Sequence, residues 1–366
     1  MEPILKDLHA KYGPIITVYF GRRPAIFVAS HELAHCALVQ NGATFADRPP
    51  PLLSSRVMSN NQKNINTSYY GPTWRLFRRN LTAEMLHPLR GYGPSPSHEY
   101  AMFSVPVLMC FGDRLDEKAI KQVEDCHRPL LLNVNRFDVL GICPRLGKEN
   151  HEMDDKPHER SVAYVDSLLN LELLNEQEII ALCSEFLNAA TDTTSTALQW
   201  IMANVVKYPG IQQKLYQEIR GVVEAAEEKV DEDHLQSMPY LKAVVLERLR
   251  RHPPGHFVLP HAVTEDFELW EDPMEFRPER FLSNGGGGGT GEGFDVTGSR
   301  EIRMIPFGAG RRMCPAHGLA LLHLDYFLAN LIWRFHWKAV DEVDLTEKLE
   351  FTVVMKNPPR ALISPR

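Results

Sequence analysis

One cysteine near the end of the chain, Cys314, lies in a context that restricts both its backbone and its chemistry. It follows a glycine-rich stretch, Phe307–Gly310, and precedes a proline and an apolar run from Leu319 to Trp337. Proline favours the first turn of a helix, so the pattern places Cys314 at a helix N-terminus. The positive end of that helix, with Arg311 and Arg312 nearby, favours a thiolate over a thiol. Such a soft ligand suits haem iron and favours cleavage of the O–O bond.

An ordinary buried cysteine beside a glycine turn is the alternative, and further motifs argue against it. Phe307, Gly310, Arg312 and Cys314 match the haem-binding loop F-x-x-G-x-R-x-C-x-G of the cytochrome P450 superfamily, which this chain resembles. The resemblance implies that Cys314 is the axial ligand of haem iron and that the other three residues form the cofactor-binding loop. Ala316 replaces the last glycine of the pattern and leaves the ligand itself unaffected.

A second motif joins an acid and two arginines. Glu247 and Arg250 are three residues apart, so they share a helix face and can pair. This pattern alone is common on solvated helices. Downstream, the segment Pro278–Phe281 resembles the P-E-R-F segment of the family. The resemblance implies a cluster of Glu247, Arg250 and Arg280 beside the haem, which contributes geometry more than stability.

The longest apolar segment runs from Glu178 to Tyr208 and predicts a helix that ends before a proline. Its middle, Ala189–Thr196, concentrates hydroxyl groups that can bond to the preceding turn and bend the helix. The segment resembles the oxygen-binding helix of the family, usually A-G-x-D-T-T. The resemblance implies catalytic proton-delivery roles for Asp192 and Thr193. A solvated polar stripe is the alternative, and the apolar flanks argue for burial.

Trp74 and Arg78 are four residues apart and share a helix face. In the family, a W-x-x-x-R pair reaches a haem propionate, and the planar guanidinium of arginine suits a carboxylate. The resemblance therefore implies cofactor-binding roles for both residues. An exposed basic helix is the alternative when the pattern is taken alone.

A competing motif lies earlier, where His31-Glu32-Leu33-Ala34-His35 matches the H-E-x-x-H pattern of zinc metallopeptidases. Two histidines four residues apart can bind zinc with the glutamate as base. A third ligand is required, however, and Leu38 and Asn41 occupy the positions where the extended motif has glycine and histidine. A metallopeptidase remains a remote alternative.

Composition fits a folded enzyme. With 366 residues, of which 44% are hydrophobic and 24% charged, the chain can bury a large core. We expect a mainly α fold with a small β region near Ile15 to Val28, forming one incomplete cytochrome P450-like haem domain over residues 1–366. Six cysteines without a C-x-x-C pair predict no disulfide framework and a reducing compartment. The net charge of −7 argues against nucleic acid as a partner.

Several segments are short relative to the family. Regions near 91–177 and 266–272 look gapped, and a flexible glycine-rich loop is expected over 284–299. One apolar piece, Ala101 to Phe111, predicts a helix. No signal peptide or transmembrane segment is evident in this chain.

The resemblance is to plant microsomal members of the family. It implies a monooxygenase with haem b, which inserts one oxygen atom of O2 into a small apolar substrate. Electrons would come from NADPH through NADPH-cytochrome P450 reductase. Family location would be the cytosolic face of the endoplasmic reticulum membrane. The alternative from another class is a non-catalytic or poorly folded remnant that binds haem weakly or not at all.

Overall fold

The computed structural model describes residues 2–20, 23–50, 59–86, 101–111, 118, 122, 163–171, 173–224, 226–255, 270–282 and 294–366. Within these residues helices dominate, and strands form only three two-stranded antiparallel sheets. The prediction of a mainly α fold with a small β region is confirmed. The chain divides into a larger unit, Met1–Ala46 with Thr193–Arg366, and a smaller unit, Asp47–Asp192.

The N-terminal part of the larger unit contains a hairpin at the predicted place. Its elements are α1 (Glu2–Tyr12), β1 (Ile15–Phe20), β2 (Arg23–Val28), α2 (His31–His35) and a π turn (Cys36–Gln40). Side chains alternate across a strand, so one face of the hairpin is buried and the other is exposed. Ile16 and Phe27 are paired across the hairpin and are buried with Leu5 of α1. Ser30 caps α2 by accepting a hydrogen bond from the backbone N–H of Leu33 at 3.3 Å.

The smaller unit is helical in its described part. Its elements are α3 (Pro72–Asn80), a π turn (Leu81–Met85), α4 (Ala101–Phe111), α5 (Tyr164–Leu169) and the first part of α6 (Glu176–Lys207). Helix α4 coincides with the predicted apolar helix. Helix α6 ends before Pro209, as its sequence predicts, and it runs as one unbroken α-helix. The buried side chains of this unit include Phe77, Met109, Leu168 and Leu182.

The core of the larger unit lies among four helices. These are the later part of α6, α7 (Pro209–Val222), α9 (Pro239–Arg251) and α10 (His317–Arg334), with the short α8 (Glu232–Leu235) between α7 and α9. Proline opens both α7 and α9, where a missing N–H costs no helical bond. Ile201, Ile219, Val244 and Leu328, one from each long helix, are fully buried in a single cluster.

Four short strands follow α10. Strand β3 (Phe335–Ala339) pairs with β6 (Ala361–Pro365), and β4 (Glu347–Leu349) pairs with β5 (Val353–Met355). The apolar run that predicts the C-terminal helix continues to Trp337, but α10 ends at Arg334 and the last apolar residues belong to β3. Their partners are distant in sequence, as in the pair Trp337 and Ile363.

No helix in the described ranges is both long enough and apolar enough to cross a lipid bilayer. Most of the predicted short regions at 266–272 and 91–177 lies outside the described residues, as does most of the glycine-rich loop at 284–299. The single-domain reading of residues 1–366 stays a prediction.

Candidate active site

The loop before Cys314 is closed by three backbone hydrogen bonds. The N–H of Gly308 donates to Ile305 O at 3.0 Å, that of Met313 to Gly310 O at 3.2 Å, and that of Cys314 to Phe307 O at 2.8 Å. Gly308 and Gly310 both have positive φ, 72° and 67°, which glycine adopts without steric cost. The loop therefore fixes the backbone of Cys314, whose side chain is partly buried.

Gly310 also lies against the π turn that follows α2. A Cβ atom at this position would lie 1.9 Å from the carbonyl oxygen of Leu38, well inside van der Waals contact. Buried Leu38 packs there with Ala309 and Ile302. Glycine is thus required twice, by its φ and by the close approach of another backbone.

Helix α10 begins at His317, three residues after Cys314. This confirms the expected order of loop, cysteine and helix, and it places the cysteine beside the positive end of the helix. Ala316 has φ −95° and ψ 16°, a conformation open to alanine, so the departure from glycine strains nothing locally. The Phe307 ring centre lies 6.2 Å from that of His317.

Arg312 holds the loop through its side chain. Its Nε donates to the carbonyl oxygen of Ala46 at 2.7 Å. The planar guanidinium of arginine matches the geometry of a carboxylate such as a haem propionate. A thiol on a closed loop beside a helix N-terminus fits haem iron, and a nearby arginine fits the haem propionates.

The structure brings Glu247, Arg250 and Arg280 together. Arg250 donates to both oxygens of Glu247, from Nε at 2.8 Å and from Nη2 at 2.9 Å. Arg280 Nε and the backbone N–H of Arg277 also donate to Glu247 Oε1, at 3.3 and 2.7 Å. Glu247 is 0% exposed. A buried carboxylate with four donors is compensated, and it ties the segment that contains Arg280 to α9.

Asp192 and Thr193 are adjacent and partly buried on α6. Thr191 Oγ1 donates back to Leu187 O at 2.8 Å, the bond expected of threonine in a helix. Thr194 and Thr196 are buried, which argues against the alternative of a wholly solvated stripe. The proton-delivery roles of Asp192 and Thr193 stay predictions.

Trp74 and Arg78 share a face of α3, with the guanidinium 5.9 Å from the centre of the indole ring. Trp74 is 6% exposed, and its Nε1 donates to the carbonyl oxygen of Ile65 at 3.1 Å. Indole has only one N–H donor. That donor is used within the protein, and the cofactor-binding roles of Trp74 and Arg78 stay predictions.

The competing histidines lie on α2. His35 Nε2 is 3.2 Å from the carbonyl oxygen of Ser299. Among the residues that the structure describes, no group of three or more histidine, cysteine, aspartate or glutamate residues is arranged to hold a metal ion. The pair His31 and His35 thus gains no third ligand from the described ranges.

Sequence reasoning missed a partly buried glutamate and a fully buried arginine. Glu185 on α6 accepts hydrogen bonds from the backbone N–H groups of Ile65 and Asn66, both at 2.7 Å, and burial raises its pKa to about 7. Arg248 on α9 is 0% exposed, and burial lowers its pKa to about 9. A seven-residue spacing of acids at 178, 185 and 192 was a signal for the first; Arg248 had none.

Comparison with known proteins identifies the family. A family profile described as Cytochrome P450 matches residues 1–131, 137–269 and 265–364. Cytochrome P450 89A9 of Arabidopsis thaliana is 42% identical, over 100% of this chain and 89% of the relative. Salviol synthase of Salvia pomifera is 27% identical, over 94% of this chain and 83% of the relative.

Among solved structures, a zebrafish cytochrome P450 determined with abiraterone matches with a TM-score of 0.75 and 20% sequence identity. The match covers 100% of this chain and 99% of that one, and it shows the shared fold. The alignment with the Arabidopsis relative extends over 460 positions, whereas this chain has 366 residues, so at least 94 positions lie opposite gaps in it.

Proposed function

This chain belongs to the cytochrome P450 family, and from that premise we propose that it oxidises a small apolar organic substrate. The family comprises haem-iron monooxygenases, so the chain is an oxidoreductase. Haem, when bound, supplies the activation of O2 and the insertion of one oxygen atom. The protein supplies the ligand, the orientation of the substrate and the path for protons.

The observation that best supports this function is the loop around Cys314. Three backbone bonds close the loop, and Gly310 packs against a carbonyl oxygen where no other residue fits. The start of α10, three residues later, favours the thiolate form of Cys314. Cys314 would hold the haem iron through its sulfur, with Phe307 and Gly310 shaping its loop.

Other residues would hold the cofactor and move protons. The guanidinium groups of Arg312 and Arg78 would bind the haem propionates. The carboxylate of Asp192 would pass a proton to the hydroxyl oxygen of Thr193, from which it would reach the oxygen site. The cluster around Glu247 would keep α9 and the segment that contains Arg280 in one arrangement.

Electrons would come singly from an NADPH-dependent flavoprotein, NADPH-cytochrome P450 reductase. Plant relatives support a place at the cytosolic face of the endoplasmic reticulum membrane. Both statements rest on family resemblance.

An isotope experiment tests the function. The purified chain with haem, reductase and NADPH is incubated with a panel of small apolar compounds under 18O2. One atom of 18O in a product, with electrons used in stoichiometric amount, is the expected result.

Thr193→Ala should retain NADPH consumption and lose product, since the hydroxyl group no longer delivers protons. Unchanged coupling of NADPH use to product would remove Thr193 from the proton path.

A second candidate is a non-catalytic remnant that binds haem weakly or not at all. The alignment gaps favour it, because at least 94 positions of the Arabidopsis relative have no counterpart here. The complete burial of Arg248, which lowers its pKa to about 9, also favours a poorly stable fold. Failure of the purified chain to retain haem through gel filtration would support this candidate, whereas stoichiometric haem would exclude it.

A further inference from the structure

The side chain of Glu185 binds one peptide segment with both of its oxygens. Oε2 accepts the backbone N–H of Ile65 and Oε1 accepts that of Asn66, each at 2.7 Å. Hydrogen bonds to a carboxylate are roughly twice as strong as those between neutral groups. All three residues belong to the smaller unit. The carboxylate therefore fixes this segment against α6 at two adjacent amides.

The carbonyl oxygens of the same two residues are also bound. Ile65 O accepts the indole N–H of Trp74 at 3.1 Å, and Asn66 O accepts Nε of Arg48 at 2.7 Å. The segment thus joins Glu185 on one side to Trp74 on the other. We call this set of bonds the Glu185 clamp.

The clamp leads to Arg78 through the indole ring. The Arg78 guanidinium lies 5.9 Å from the ring centre of Trp74, within the range of a cation–π interaction. Trp74 is buried, so its ring gives a fixed surface under the arginine. Any movement of Ile65 would move Trp74 and, with it, the surface on which Arg78 rests.

We propose that Glu185 is a positioning residue, which holds Trp74 through Ile65 and so orients Arg78 for a haem propionate. The role of Arg78 rests on the proposed function, whereas the clamp itself does not. The indole ring of Trp74 then supports Arg78, and the indole N–H holds the Ile65–Asn66 segment by donating to the carbonyl oxygen of Ile65.

The charge on Glu185 gives the clamp a pH dependence. Burial raises its pKa to about 7, against the opposing effect of the two amides and Arg48. A protonated carboxyl has an O–H on one oxygen and can no longer accept both amides well. The clamp should therefore be firm above pH 7 and looser below it. Among the described residues, Arg48 at the start of the smaller unit and Tyr164 of α5 interact electrostatically with Glu185. Cys183 and Glu178 lie two and seven residues before it on α6, and Glu178 pairs with Lys63.

Amide hydrogen exchange on the haem-free full chain tests the clamp directly. Glu185→Gln replaces one acceptor oxygen by an NH2 group, so one of the two amides loses its partner. At pH 8 we expect the amides of Ile65 and Asn66 to exchange at least about tenfold faster in the variant. Glu176→Gln is the matched control, because Glu176 is exposed on the same helix.

After correction for intrinsic exchange, the wild type should lose protection of these amides between pH 8 and pH 6, and Glu185→Gln should show no such change. Unchanged exchange in Glu185→Gln, or a loss of protection with pH that persists in the variant, would overturn the clamp.

A double-mutant cycle on haem release tests the connection to Arg78. Transfer of haem to an excess of a haem-acceptor protein gives its dissociation rate. Glu185→Gln should raise this rate about two- to fivefold in the wild-type background, the range of a cation–π interaction. It should add nothing in an Arg78→Met background, because the residue it positions is absent. Equal effects in both backgrounds would overturn the connection.

The two experiments separate the proposals. A chain that retains no haem overturns both the proposed function and the role of Arg78, and amide exchange alone then decides the clamp. If the chain retains haem but Glu185→Gln and Arg78→Met change the rate of haem release independently, the proposed function stands and the positioning role of Glu185 is overturned.

Discussion

Replacing Arg248 by methionine should raise the stability of the folded chain. Arg248 is 0% exposed, and none of its three guanidinium nitrogens has a hydrogen-bond partner among the described residues. Its pKa is lowered to about 9, because burial disfavours the cation more than the negative charge of Glu347 favours it. Methionine has similar length, good helix propensity and no charge, so it suits this position in α9.

The size of the effect follows from the pKa. A fall from 12.5 to about 9 corresponds to at most about 5 kcal/mol, at about 1.4 kcal/mol per pKa unit. Replacement of a buried charge by an apolar side chain typically returns part of such a penalty, so we expect a gain of about 2–4 kcal/mol in the free energy of unfolding. For a chain of this length the gain raises Tm by about 3–5 °C.

The pH dependence has a definite sign. The pKa of Arg248 is lower in the folded chain than in the unfolded chain. Well below pH 9 Arg248 is charged in both states, so its destabilising effect on the folded wild type is constant there. Above that pH the folded chain releases the proton first, and the unfolded chain binds more protons. The free energy of unfolding of the wild type should then rise relative to that of Arg248→Met by about 1.4 kcal/mol per pH unit.

Thermal unfolding followed by circular dichroism provides the assay. Arg248→Met is compared with the wild type and with Arg220→Met, which removes an exposed arginine from the last turn of α7. We expect a higher Tm for Arg248→Met alone, with a gap that narrows from pH 8 to pH 10. A Tm equal to or below that of the wild type would refute the reasoning, because it would mean that the guanidinium is well compensated in the folded protein.

Three other substitutions have expected outcomes. Gly310→Ala should cost more than about 3 kcal/mol, from positive φ and the overlap with a backbone carbonyl oxygen; Gly210→Ala, where a Cβ meets nothing within 4 Å, should leave the denaturation midpoint unchanged or higher. Burial raises the pKa of Asp325 to about 7 from 3.8, so the wild type loses stability as pH rises through this range. Asp325→Asn should lack this loss and should be more stable than the wild type by about 2–4 kcal/mol at pH 8. Equal denaturation midpoints for the two proteins at pH 8 would contradict this. Glu247→Gln should cost about 3–5 kcal/mol in urea unfolding, whereas exposed Glu271→Gln should cost less than about 0.5 kcal/mol; similar values for the two would show that the buried cluster contributes little.

Local patterns allowed much of the fold to be predicted. Apolar runs bounded by proline predicted α6, and the run from Ala101 to Phe111 coincides with α4. The hairpin near Ile15 to Val28 was recognisable from its β-branched and aromatic residues. The motif spacing of Glu247 and Arg250 put both on one helix face, where their side chains meet.

Contacts between distant segments were harder to predict. The apolar run through Trp337 continues past Arg334, so no local signal marks the change from α10 to β3; the strand exists because it pairs with β6. Burial of Arg248 depends on neighbours from other segments, since an arginine followed by two more in the last turn of a helix looks exposed in sequence. The spacing of acids at 178, 185 and 192 marks Glu185 but does not identify its partners, since the Ile65–Asn66 segment lies more than a hundred residues away in sequence.

The reduced carbon-monoxide absorption spectrum tests the central claim most directly. The purified full chain is loaded with haem, reduced with dithionite and exposed to carbon monoxide, beside a Cys314→Ala variant treated in the same way. We predict a strongly red-shifted Soret band in the wild type and its loss in the variant, because only the Cys314 thiolate gives that band. A Soret band at the position of neutral-ligand haem in the wild type, or the same red-shifted band in both proteins, would contradict the assignment of Cys314 as the haem ligand.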